Sequence, residues 1–312
     1  MKTVTGLLTA LALGLVFGTA AAQDQKAVPP PQPLTQSLPV ENVIVTEPRF
    51  RTEKALDNFI IGHAAPTPLL GKIARWKTGI CPMTAGLPEK FSLYITERII
   101  KLAMAAGAPL GKGLCRPNIL VVATNEPQQF LDFMQQKRPD LLGFHYISQR
   151  KRLATMNLPV QAWYSTATED FWGFISADLP SWDLGYGVMS TWGFLPAYHV
   201  SGSRLADGLK SEFTAAIILV DSKKMVGQQI GPLADYIAML ALSQGQSYGT
   251  CQDVPTITNL MASGCGADMK PAALTDVDLD YLRGLYRMNP DGTYISERGS
   301  IADEIKKALG GH

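Results

Sequence analysis

A chain of 312 residues with 28 basic and 27 acidic side chains carries a formal charge of +1, so net charge recruits neither nucleic acid nor anionic lipid. Its length supports one large domain or two small ones, and either can bury a substantial core.

Residues 1–22 hold Lys2, an apolar run from Leu7 to Phe17, and Ala20-Ala21-Ala22 before Gln23, the layout of a secretory signal peptide cleaved near Ala22. A retained anchor is the competing reading, but the run falls short of the roughly 20 residues a spanning helix needs. No later segment reaches that length either. The mature chain is therefore expected to be periplasmic or secreted, without an integral membrane segment, and removal of Lys2 leaves 27 basic against 27 acidic residues.

Residues 23–42 are rich in proline and read as a disordered tether, with a single domain expected over 43–312. RTEKALDNFIIGHAA fits a first amphipathic helix with Ala55, Leu56, Phe59 and Ile60 on one face. IARWKTGICP suggests one or two short strands. PEKFSLYITERIIKLAMAAG predicts a long helix that starts at Pro88, repeats Phe91, Ile95, Ile99 and Leu102 at helical spacing, and stops at Gly107. RPNILVVAT predicts a buried strand, EPQQFLDFMQQKRPDLLG a helix, and VQAWYSTAT another strand. Residues 167–203 lack periodicity and read as a long insertion or irregular hairpin rich in glycine and aromatics. FTAAIILVDSKKMV then predicts a strand, residues 231–244 a helix, and LTDVDLDYLRGLYRM and ERGSIADEIKKALG two closing helices. Strands interleaved with helices, without clean β-α-β repeats, point to an α+β fold with a mixed sheet.

The cysteines Cys81, Cys115, Cys251 and Cys265 are even in number in an exported chain, which favours two disulfides. Of three connectivities, Cys81 with Cys115 and Cys251 with Cys265 links sequence neighbours, the second pair closing the loop TCQDVPTITNLMASGCG. A zinc site would need C-x-x-C or Cys/His spacing, and neither is present. His63, His145, His199 and His312 lie too far apart to pair on a helix, so no metal and no cofactor are expected. A site assembled from distant residues, such as His145, His199 and Asp235, stays open.

No G-x-S-x-G occurs; S-G-S-R at 201–204 beside His199 is the nearest serine-histidine neighbourhood, and Ser203 is read as a turn or helix cap. Glu169 and Asp170 form a carboxylate pair. Asp276, Asp278 and Asp280 fit the exposed first turn of a helix, where negative charge is favoured. Four tryptophans, Trp163, Trp172, Trp182 and Trp192, fall within thirty residues, with Tyr186 and Tyr198 nearby. Exposed, they would make a recognition surface or a sugar-stacking platform; because large aromatics are mostly buried, the reading is a flap packed over the sheet.

The segment D-Y-I-A-M-L-A-L at 235–242 has the shape of the zincin metallopeptidase helix H-E-x-x-H-x-L-G-L, with Asp235, Tyr236 and Met239 where two ligands and the general base would stand. Downstream, Leu274, Thr275, Asp278, Leu282, Arg283, Leu285 and Tyr286 match an L-[ST]-x-x-D-x-x-x-L-[KR]-x-L-Y pattern that resembles the closing segment of secreted zincin-like families. The chain also resembles an exported alphaproteobacterial family carrying GKIARWKTGICP, CRPNILVV, SRLADGLKSEF and LADYIAMLALSQ, which implies no activity. The zincin resemblance implies a metallopeptidase-like fold that has lost its metal chemistry. The residues alone also allow a plain core helix, since Leu233, Ile237, Leu240 and Ala241 form an apolar face.

The expectation is thus a non-catalytic, zincin-like binding or envelope accessory domain, whose partner is an envelope protein or glycan met through Trp172, Trp182, Trp192 and His199. The alternative is a hydrolase assembled around His145, His199 and residues 167–203. A purely structural envelope protein is the third reading.

Overall fold

The computed structural model describes residues 53–143, 153–178, 198–203, 206–245 and 248–310. The expected signal peptide and tether lie outside them, as do His145, Trp182, Tyr186 and Trp192.

The described strands are β1 (Pro82–Ala85), β2 (Ile119–Thr124), β3 (Val160–Glu169), β4 (Ile175–Ala177) and β5 (Lys210–Asp221), and the apolar runs ILVVA and AAIILV supply β2 and β5. They form one sheet in the order β1-β2-β5-β3-β4. β1, β2 and β5 are parallel, and β3 runs antiparallel to both β5 and β4. The fold is α+β with a mixed sheet.

Among the described residues six α-helices accompany it: α1 (Glu53–His63), α2 (Glu89–Ala106), α3 (Pro127–Lys137), α4 (Ile230–Leu242), α5 (Asp276–Arg287) and α6 (Tyr294–Gly310). Alternation along β5 shows how they divide. Ile218 and Val220 face the large core made with α1, α2, α4, α5 and α6, whereas Ile217 and Leu219 meet Trp163 and the α3 residues Leu131 and Met134 on the other side. A central strand covered on both faces needs apolar residues without a gap, and AAIILV provides them.

The helix expected after Pro88 is α2; Gly107 ends it in the left-handed conformation, φ 79°, which a side chain would strain. With β1 and β2 it makes a parallel crossover, the β-α-β unit that the sequence pattern did not reveal. Three other boundaries differ from expectation. IARWKTGICP forms single bridges, from Ile73 to Pro66, Arg75 to Glu212 and Ile80 to Leu110, and a strand, β1, starts only at its last residue, Pro82. Pro66 and Pro109 have no N–H with which to extend those ladders. The helix after Pro127 stops at Lys137, because Pro139 cannot continue it and instead opens a 3₁₀ turn, Pro139–Leu142. β5 ends at Asp221, whose side chain accepts the Lys223 N–H and turns the chain.

The disulfides join Cys81 to Cys115 and Cys251 to Cys265. Both fit an oxidising compartment. Among the described residues no helix is long and apolar enough to cross a membrane.

Candidate functional site

Ten of the 13 residues of α4 are buried, including Asp235, Tyr236 and Met239. Asp235 is tied on both oxygens: Oδ1 pairs with the Arg98 guanidinium of α2, and Oδ2 accepts the Leu274 N–H at 2.7 Å. Met239 is core. The Tyr236 hydroxyl finds no hydrogen-bond partner among the described residues, and burial pushes its pKa far up.

A helix leaves its last four carbonyls without intrahelical partners. In α4 each has one from elsewhere. Met239 O accepts from Ser243, Leu240 O from the Tyr164 hydroxyl at 2.7 Å, Ala241 O from Trp76 Nε1 at 2.8 Å, and Leu242 O from the Tyr286 hydroxyl at 2.8 Å. Of the positions that resemble a metal site, Asp235 ties the helix to Arg98 and Leu274, and Tyr236 and Met239 are buried in the core.

The closing motif is structural in the same way. Thr275 and Asp278 form a capping box on α5, and Asp278 also accepts the Ile257 N–H at 2.9 Å and the Thr256 hydroxyl. Asp278 and Asp280 are buried, which corrects the expectation of three exposed aspartates. The cap needs Asp278 turned inward, onto the disulfide-closed loop. Next to it, His63 donates Nδ1–H to Phe59 O at 2.7 Å, so its Nε2 accepts from Thr258 Oγ1 at 2.9 Å. Complete burial lowers the His63 pKa to about 4.

The β3–β4 hairpin carries different chemistry. The β3/β5 register shifts between Ser165 and Thr166, and beyond the shift Ala167, Thr168 and Glu169 pair with Glu212, Ser211 and Lys210. Glu169 is held by Lys77 and, at 3.6 Å, by Lys210. Glu212 is buried, with Oε2 lacking a partner among the described residues; burial raises its pKa, against the pull of Lys77. Asp178 takes the Thr166 and Thr168 hydroxyls at 2.6 and 2.7 Å.

Asp170, one residue past β3, organises the turn. Its Oδ1 accepts the N–H groups of Trp172 and Phe174 at 3.0 and 2.9 Å, and its Oδ2 those of His199 at 3.1 Å from the main chain and 2.6 Å from Nδ1. Burial opposes the charge, yet the ring and the three amides outweigh it and hold the carboxyl down at about 2. With Nδ1 engaged, His199 presents Nε2 and lies against the Trp172 ring, 3.7 Å between centroids and 15° from parallel. Gly173 allows the turn at φ 87°.

Around this pair Phe171, Trp172, Phe174, Ile175 and Val200 are all more than half exposed, Trp172 by 66 %. The expectation of a buried aromatic flap holds for Trp163 and fails for Trp172. Trp172 lies in the turn that joins β3 to β4, beyond their last pair Glu169/Ile175, where no described strand residue pairs across it. Ser201 donates its hydroxyl to Ala206 O and accepts the Ser203 N–H; Ser203 lies in this loop, not at a helix cap. The structure joins His199 to Asp170 and Asp235 to Arg98, so the imagined grouping of His199 with Asp235 does not form. Sequence reasoning treated Asp170 only as a partner of Glu169. The signal it passed over was an aspartate followed by F-W-G-F-I, where a carboxylate can gather the amides two and four residues on.

Among the described residues no three His, Cys, Asp or Glu side chains are placed to hold a metal ion. Comparison of the chain with protein-family models, with curated proteins and with solved structures found no match.

Proposed function

We propose that this chain is an exported binding domain, an accessory of the cell envelope, and that its recognition surface is the aromatic turn 171–175 with Val200 and His199. One observation carries the reading: Phe171, Trp172, Phe174 and Ile175 stand exposed on a turn whose backbone is fixed by Asp170, and Val200, beside the His199 that Asp170 binds, is exposed as well. Clustered exposed apolar residues on an ordered frame mark interaction sites, whereas scattered ones need no explanation. On the same reading α4 is a zincin-like helix kept for packing. It directly follows β5, and the three ligand-like positions are spent on Arg98, Leu274 and the core.

Binding of the apolar dye anilinonaphthalene sulfonate tests this. The wild-type chain should enhance its fluorescence under native conditions, and W172A/F174A should lose most of that signal at an unchanged melting temperature. Equal signals would overturn the proposal.

The Asp170–His199 pair supports a second reading, hydrolysis, because a carboxylate on Nδ1 fixes the tautomer that leaves Nε2 free to take a proton. Turnover of simple esters abolished by H199N would favour it. Absence of wild-type turnover, or turnover indifferent to H199N, would dismiss it.

A further inference from the structure

The main-chain donors of the turn are closed to the outside. Asp170 N–H donates to Phe174 O, Phe171 N–H to His199 O and Gly173 N–H to Asp170 O, each at 2.9 Å, while the amides of Trp172 and Phe174 reach Asp170 Oδ1. Every main-chain donor from 170 to 174 thus has an acceptor within the protein. On a surface that stays wet, water would serve as well. A protein or glycan partner would bring acceptors of its own. Hydrocarbon brings none, and a donor left open there is costly.

The charges near the turn are closed as well. Asp170 lies under its four donors, Glu169 is matched by Lys77 and Lys210, and Asp207 by Lys72. Among the described residues such a surface offers no excess cation to an anionic headgroup and no bare carboxylate to be repelled. It complements a zwitterionic one.

Resting on the reading that this turn is the binding surface, we infer that its partner is the headgroup–acyl boundary of a zwitterionic phospholipid bilayer. Trp172 and Phe174 enter the boundary and His199 stays at its wet side. Penetration by a five-residue turn matches the roughly 5 to 10 Å depth of that boundary. The attachment is peripheral.

The test is sedimentation of the chain, freed of residues 1–22, with phosphatidylcholine vesicles at low and high salt. Wild type should partition onto vesicles equally at both, since apolar burial is not screened. W172A/F174A should partition about tenfold less or weaker still. Asp170→Ala keeps every apolar side chain but opens the amides, and it too should partition less. Phosphatidylcholine with brominated acyl chains should quench tryptophan emission in wild type, and W172F should abolish the quenching. Partition unchanged in W172A/F174A, or quenching that survives W172F, would overturn the inference. Vesicle binding absent while the dye signal persists would overturn the bilayer alone and point to a protein partner. Loss of both would overturn the binding reading too.

Discussion

Both carboxylate oxygens of Asp235 are used, one by Arg98 and one by the Leu274 N–H, whereas the hydroxyl of its neighbour Tyr236 is buried without a partner among the described residues. Removing a paired buried charge strands what it served, so Asp235→Ala should destabilise the fold by about 3 kcal/mol or more. Tyr236→Phe should be neutral or stabilising by up to about 1 kcal/mol, because no bond is lost. Denaturant unfolding of the two variants checks this; a larger loss at Tyr236 would contradict the assignment. His63 and Glu297 oppose each other in pH dependence. The folded pKa of His63, about 4, lies below its ordinary 6.5, so the unfolded chain binds more protons and stability is lost as pH falls from 6.5 towards 4, by about 3 kcal/mol at most. Burial raises Glu297 from 4.5 to about 7, against its bond to the Ile73 N–H, so its contribution is present below 4.5 and lost as pH rises towards 7. The two cancel between about 4.5 and 6.5. Glu297→Gln should uncover the histidine slope, seen as a melting temperature that climbs with pH across this window more steeply than in wild type. Parallel curves would refute it. None of these roles was legible in the sequence, because a lone His63 or Asp235 has the same letter whether it caps, pairs or reacts.

α2 and α4 were legible, because Ile95, Ile99 and Leu102 in one and Leu233, Ile237 and Leu240 in the other recur at the helical period and face one core. Periodicity reports burial, and burial is what these helices do. Leu240→Ala, at 2 % exposure, should cost about 2 to 5 kcal/mol in thermal or denaturant unfolding through lost contact and a residual cavity. A cost below 1 kcal/mol would mean that α4 is loosely held, against the four carbonyls that Ser243, Tyr164, Trp76 and Tyr286 satisfy. β3 was legible as a strand, whereas the turn after it and β4 were not: the turn is made by one aspartate side chain and β4 has three residues, so no repeating pattern marks them.

At the scale of the molecule, the mixed sheet separates two duties. Its α4 side is a dense core in which charged and phenolic groups such as Asp235, Asp278 and Tyr281 are consumed by packing. The far end of β3 projects an apolar surface whose amides are already bonded. The α+β class followed from strand and helix spacing, but strand order did not, since the placement of β5 between β2 and β3 depends on contacts distant in the chain. Exposed side chains over protected amides are the central claim, and hydrogen exchange measures it directly. The amides of Trp172, Phe174 and His199 should exchange roughly tenfold to a hundredfold more slowly than open loop amides, as bonds to a charged group imply. Asp170→Ala should release them while α4 stays protected. Exchange of these amides at the open-loop rate in the wild-type chain would contradict the account.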